Sequence, residues 1–175
     1  MVNYFELYGL PVSFHPDQER VKQKFYELSR QFHPDRFAQG GSGAIDEAIR
    51  MSALNNEAYR ILKNPDATMQ YVLKYHSVLE DEEKYNLPPN FLMEMMELNE
   101  AVSEYELEPT NEDMKEQART NLRDLLDQWQ EEVAPLLERY DSGDQSTELL
   151  AQIKDYYFRK KYLLRVETRL KELGV

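Results

Sequence analysis

Side chains able to do chemistry are few in this sequence, which has three histidines and no cysteine. Without cysteine, disulfides, thiolate metal sites and thiolate-bound iron–sulfur clusters are excluded. His15, His33 and His76 form no zinc-protease pairing, and the sequence has no nucleophile elbow and no phosphate-cradling glycine motif. The segment GGSG lacks the lysine of a P-loop. We therefore expect no enzymatic activity, no metal site and no cofactor.

The triplet His33-Pro34-Asp35 interrupts a pattern that is helical on both sides. Pro34 disfavours helical geometry at His33, so the first helix should stop there. Asp35 can bond backbone amides within the turn, and on an exposed loop it can pair with an arginine of a partner. On these three residues alone, a plain helix stop is the favoured interpretation.

Two amphipathic stripes flank the triplet and should position it. The first recurs at Val21, Phe25, Leu28 and Phe32, and the second at Met51, Leu54, Ala58 and Ile61. Both follow the helical period, so the two helices should pack antiparallel and hold the triplet at an exposed tip. A further helix should begin after the cap Asn64-Pro65 and turn inward Met69, Val72 and Leu73.

The whole arrangement resembles a J-domain, the ATPase-stimulating module of DnaJ-type co-chaperones. The resemblance covers residues 1–76 and includes NYFELYGLP upstream and NNEAYRILKNPDATMQYVL downstream. It implies that His33, Pro34 and Asp35 trigger a DnaK-class chaperone ATPase. It also implies a docking face made of Lys22, Lys24, Arg30 and Arg36, although any one of these cations alone is as readily part of an ordinary solvated helix face.

The charge pattern divides the chain. Residues 1–76 hold nine basic and nine acidic side chains, whereas residues 77–175 hold twelve and twenty-four, which accounts for the net charge of -12. We predict an all-α protein with a J-domain at 1–76, an acidic linker with two prolines at 77–90, and a three-helix bundle at 91–175. Its helices should span about 90–107, about 110–140 with a kink or loosening at Pro135, and about 146–173.

The first bundle helix carries two contrasting faces. Phe91, Met95, Leu98, Val102 and Tyr105 cluster on one side as the core seam. The opposite arc begins with three apolar residues and continues with glutamates: Leu92, Met93, Met96, Glu97, Glu100 and Glu104. Such an arc is typical of an adaptable binding surface with an acidic rim, but a buried methionine cluster beside a solvated acidic face explains it equally.

An N-terminal J-domain followed by an acidic three-helix bundle is similar to the HscB family, called Jac-type in mitochondria, and the segment FLMEMMELNE resembles the family's most characteristic stretch. The resemblance implies a co-chaperone that binds an IscU-type iron–sulfur scaffold protein, delivers it to an HscA-type chaperone and stimulates ATP hydrolysis there. It implies that the scaffold contacts the arc from Leu92 to Glu104 and, on the last helix, Phe158. That phenylalanine points off its helix's apolar stripe, yet Tyr157 and Tyr162 could simply shelter it.

Two alternatives stay open: a J-domain co-chaperone with another client, and a helical scaffold protein unrelated to chaperones. The acidic charge argues against nucleic acid as a partner. No apolar stretch reaches bilayer-spanning length and no export signal is evident, so we expect a cytoplasmic protein without a membrane partner.

Overall fold

The computed structural model describes residues 2–37 and 40–175, and within these ranges the protein is helical, with no β-strand. The chain divides into two compact units, 1–76 and 77–175. The N-terminal unit contains α1 (Tyr4–Leu7), α2 (Gln18–Gln31), a 3₁₀ turn (Pro34–Phe37), α3 (Ser42–Leu62) and α4 (Pro65–Tyr75). The C-terminal unit contains α5 (Pro89–Leu107), α6 (Glu112–Asp141) and α7 (Thr147–Glu172). The predicted all-α fold with a helical hairpin and a three-helix bundle is confirmed.

Helices α2 and α3 form the antiparallel hairpin of the N-terminal unit. Near the base, the Phe25 ring stacks on the Tyr59 ring with centroids 4.1 Å apart. Near the tip, the Ser52 hydroxyl donates to the Phe32 carbonyl over 3.0 Å. The end of α2 thus meets an earlier turn of α3 than its middle does, which is the antiparallel arrangement predicted from the stripes.

The buried face of α3 is rotated from the predicted stripe. Ala58 is buried as expected, but Met51, Leu54 and Ile61 are only partly covered. The other fully enclosed positions on α3 are Ala48, Asn55 and Leu62. The prediction was wrong here because a polar residue occupies the core, which hydrophobic periodicity alone cannot reveal.

Asn55 is accommodated by a complete set of hydrogen bonds. Its Nδ2 donates to the Phe25 carbonyl and to Ser29 Oγ, each over 3.0 Å. Its Oδ1 accepts from the Tyr8 hydroxyl over 2.8 Å. A buried amide that is fully bonded is stable in a core, and this one ties α2, α3 and the segment after α1 together beneath the hairpin.

The C-terminal unit is a three-helix bundle whose seam is the predicted one. Phe91, Met95, Leu98, Val102 and Tyr105 are each at most 4% exposed. Between α6 and α7, the Trp129 indole donates to the Tyr156 carbonyl over 2.7 Å. The helical structure of α6 continues through Pro135 to Asp141, so its last turns are not lost.

The predicted linker at 77–90 is part of the C-terminal unit. Leu79 is buried, and the Glu83 carboxylate lies 2.5 Å from Lys154 Nζ on α7. The Tyr85 hydroxyl donates to Asp155 over 3.0 Å. These contacts hold the segment against α7, so it is not a free connection, and α5 begins at Pro89, within the predicted linker.

Candidate functional site

The tip of the hairpin presents His33-Pro34-Asp35. Helix α2 ends at Gln31, and the chain turns through the 3₁₀ helix that starts at Pro34. The His33 side chain is 58% exposed and that of Asp35 is 90% exposed. Both side chains are therefore accessible to a partner and contribute little to the core.

Within the tip, the imidazole rather than the carboxylate bonds to the backbone. The Asp35 amide donates to His33 Nδ1 over 3.3 Å, and the Asp35 carboxylate lies 3.6 Å from the same nitrogen. Among the described residues, that carboxylate accepts no hydrogen bond from a backbone amide, and the bonding expected for it in the turn stays a prediction. Because Nδ1 accepts a hydrogen bond from the backbone amide, a neutral His33 carries its proton on Nε2.

The four predicted cations lie on or beside α2, and all but the partly covered Lys24 are exposed. Arg36 reaches back and donates to the Arg30 carbonyl over 3.0 Å, which caps the end of α2. Lys24 pairs with Glu27 over 2.9 Å. At about 100° per residue, Lys22 and Lys24 lie roughly 160° apart around the helix, so the four cations do not share one face.

Tyr26 is a surface residue that the sequence interpretation missed. Its side chain is 51% exposed, and it lies between Lys22 and Arg30 at spacings of four residues. Side chains four residues apart are neighbours on a helix surface. The spacing Lys-x₃-Tyr-x₃-Arg could have revealed this strip, because it places an aromatic residue between two cations on one side of the helix.

The arc on α5 is exposed. Leu92, Met93 and Met96 are 43%, 65% and 72% exposed, whereas Met95 is 1% exposed. The three glutamates of the arc, Glu97, Glu100 and Glu104, are exposed as well. A buried cluster of Met93 and Met96 is thereby excluded. We call these six residues the apolar–acidic surface.

Phe158 lies on α7 and is partly covered. Its ring stacks on Tyr85 with centroids 4.5 Å apart and planes 2° apart, and it meets the Tyr157 ring edge-on at 5.1 Å. The stacking partner comes from the segment before α5, which the sequence interpretation did not consider. Burial and the hydrogen bond to Asp155 raise the pKa of Tyr85 to about 12, so its hydroxyl stays protonated at neutral pH.

Neither a metal site nor a membrane-spanning helix occurs in the part of the chain that the structure describes. No group of three or more histidine, aspartate or glutamate side chains there could hold a metal ion. No described helix is both long and apolar enough to cross a bilayer. The remaining candidates are two surfaces for protein partners, one on each unit.

Residues 87–171 match the model of the HSCB C-terminal oligomerisation domain. The C-terminal unit is therefore similar to the C-terminal domain of the HscB family. The co-chaperone protein HscB homologue of Vibrio atlanticus is 39% identical over 104 residues, 59% of this chain and 61% of that protein. The homologue of Vibrio cholerae is 39% identical over 100 residues, 57% of this chain and 58% of that protein.

Solved HscB structures resemble the entire chain. The chaperone HscB from Vibrio cholerae superposes with a TM-score of 0.73 at 26% identity, covering 99% of this chain and 98% of that one. The human co-chaperone protein HscB superposes with a TM-score of 0.80 at 24% identity, covering 100% of this chain and 83% of that one. The HscB resemblance is confirmed, although the aligned segment spans only about three fifths of the curated relatives' length.

Proposed function

We propose that this protein is a J-type co-chaperone of iron–sulfur cluster assembly. In this proposal its C-terminal unit binds an IscU-type scaffold protein, and its N-terminal unit stimulates the ATPase of a DnaK-class chaperone of the HscA type. The protein is an adaptor in the cytoplasm and carries out no chemistry itself, because ATP hydrolysis takes place in the chaperone.

The observation that carries the proposal is an exposed apolar strip on a helix whose opposite face is completely buried. The exposed portions of Leu92, Met93 and Met96 add no packing energy within their own unit. Exposed apolar patches with a polar rim mark protein interaction sites, and methionine adapts to varied partner shapes. Glu97, Glu100 and Glu104 beside the strip favour a partner with basic residues and speed its association.

The hairpin tip supplies the second contact. Asp35 is 90% exposed, so its carboxylate can form a charge-assisted hydrogen bond with an arginine of the chaperone. The His33 Nδ1 atom accepts a hydrogen bond from the Asp35 amide and so orders the backbone of the tip beside the carboxylate. Lys22, Arg30 and Arg36 lie near the tip or along α2, where they attract an acidic chaperone surface. Lys24, paired with Glu27, contributes less in its present conformation.

The experiment is ATP turnover by the chaperone with and without this protein and the scaffold. We expect the protein to accelerate turnover and the scaffold to increase the effect. Acceleration without any response to the scaffold would indicate a J-domain co-chaperone with another client. No acceleration at all would indicate a helical scaffold protein outside the chaperone system and would overturn the proposal.

A further inference from the structure

Helix α7 carries two cations that its own unit leaves without an acidic partner. Four other cations of α7 pair with carboxylates: Lys154 with Glu83, Arg159 with Asp155, Arg169 with Glu106, and Lys171 with Glu167. Within the described residues, neither Lys161 nor Arg165 has a carboxylate at ion-pair distance. Both are exposed in a unit that holds twice as many acidic as basic side chains.

The spacing of these two cations places like charges next to each other. Lys161 and Arg165 are four residues apart, so their side chains are neighbours on the helix surface and repel one another. No carboxylate at ion-pair distance offsets this repulsion, whereas Arg119 and Arg123, at the same spacing on α6, each lie within 4.0 Å of one. A ligand of negative charge would relieve the repulsion.

Both cations line one cleft, which we call the cationic cleft. It has a volume of about 230 Å³ and is lined by Glu83, Tyr85, Leu87, Phe158, Lys161, Tyr162 and Arg165. Lys161 Nζ lies 6.0 Å from the centre of the Phe158 ring. The one carboxylate of the lining, Glu83, is already bonded to Lys154, which lowers its pKa. The cleft is smaller than the roughly 300–1,000 Å³ of small-molecule sites and suits one or two side chains of a protein.

The cationic cleft lies next to the apolar–acidic surface. Tyr162 lines the cleft, and its hydroxyl accepts a hydrogen bond from Asn99 of α5 over 3.0 Å. Asn99 follows Met96 by three residues and so lies on the same side of α5. Leu87 also lines the cleft and precedes the first residue of α5 by only two positions. A protein seated on Met96 can therefore reach the cleft.

We propose that Lys161 and Arg165 bind acidic side chains of the same scaffold protein that occupies the apolar–acidic surface, an inference that rests on the proposed function. The scaffold then meets negative charge along α5 and positive charge on α7. A binding surface with negative charge on one side and positive charge on the other fixes the orientation of a bound partner, because a reversed partner would bring like charges together. The cleft thus determines orientation and specificity, while the methionines supply apolar contact.

The test is calorimetric titration of the IscU-type scaffold into the intact protein and its variants. We expect Lys161→Glu with Arg165→Glu to weaken binding by about tenfold or more at low salt, and less at high salt. The matched control is Arg119→Glu with Arg123→Glu, two exposed cations at the same spacing on α6, which should stay within about twofold of the parent. The conservative pair Lys161→Arg with Arg165→Lys should also retain binding.

A second measurement identifies the acidic partner. Each surface aspartate and glutamate of the scaffold is replaced by lysine, and at least one replacement should restore binding to the doubly reversed variant. If circular dichroism shows that variant to be unfolded, Lys161→Gln with Arg165→Gln replaces it. Unchanged binding by the folded variant, together with weakened binding by Met93→Ala, overturns the cleft assignment and leaves the proposed function intact. Failure of the parent protein to bind the scaffold overturns both.

Discussion

Replacing Met93 by alanine separates binding from stability on α5. The side chain is 65% exposed, so the free energy of unfolding should change by no more than about 0.5 kcal/mol. Burying a whole methionine side chain stabilises by roughly 1.5–3 kcal/mol, and about two thirds of this one remains to be covered by a partner. The loss of scaffold affinity should therefore be about 1–2 kcal/mol, or roughly fivefold to thirtyfold in Kd.

Met95, two residues along the same helix, provides the matched control. It is 1% exposed, so Met95→Ala creates a cavity and should lower the free energy of unfolding by about 2–5 kcal/mol. The fraction that remains folded should bind the scaffold nearly as the parent does. Calorimetric titration measures the affinities, and urea denaturation followed by circular dichroism measures the stabilities.

One pattern of results would show that α5 does not bind the scaffold through its exposed strip. If Met93→Ala and Met96→Ala both bind the scaffold as tightly as the parent, the exposed strip is not the binding surface. A lower stability of Met95→Ala would show at the same time that Met95, and not Met93, faces the core of the bundle. The scaffold would then have to bind elsewhere on the chain.

Three further predictions concern the N-terminal unit and the connection. Asp35→Asn should abolish ATPase stimulation and leave the melting temperature unchanged, because the side chain is exposed. The control Asp46→Asn, at another exposed carboxylate, should stimulate fully. An active, folded Asp35→Asn variant would contradict the J-domain assignment. The affinity for the chaperone should fall as the salt concentration rises, because exposed charges are screened beyond about 8 Å at physiological ionic strength. Calorimetry at several salt concentrations measures this affinity. An affinity that does not change with salt would speak against an electrostatic docking face. Separate fragments 1–76 and 77–175 should together stimulate ATP turnover less than the intact chain does at equal concentration. The reason is that linkage of the two units raises the effective concentration of the scaffold at the chaperone. Equal ATP turnover would rule out the adaptor mechanism.

Helix ends were predictable from the sequence where a local signal exists. The predicted range of about 146–173 for the last helix matches Thr147–Glu172, and about 90–107 matches Pro89–Leu107. The predicted start of α6 at about 110 lies two residues before its first residue, Glu112. Asn111 caps the helix, because its Oδ1 accepts hydrogen bonds from the amides of Asp113 and Met114.

Contacts between distant segments were not predictable, because no local pattern encodes them. Asn55 lies 47 positions from its bonding partner Tyr8, and only the fold shows that a polar side chain is satisfied in the core. Tyr85 and Phe158 are 73 positions apart in the sequence and stack on each other, so part of the predicted linker lines the cationic cleft. The exposed arc of α5, in contrast, follows from helical periodicity within one element and was found from the sequence.

The composition of α5 differs from that of the outward face of α6 in a way that stability does not explain. Outward positions of α6 hold charged residues such as Arg119, Arg123 and Asp127, the usual choice for a solvated helix. Outward positions at the start of α5 hold Leu92, Met93 and Met96 instead. The exposed portions of these apolar side chains lower solubility and add no packing energy to the isolated unit. Their presence is accounted for by a second protein that covers them, and the adjacent glutamates keep the surface soluble until it does.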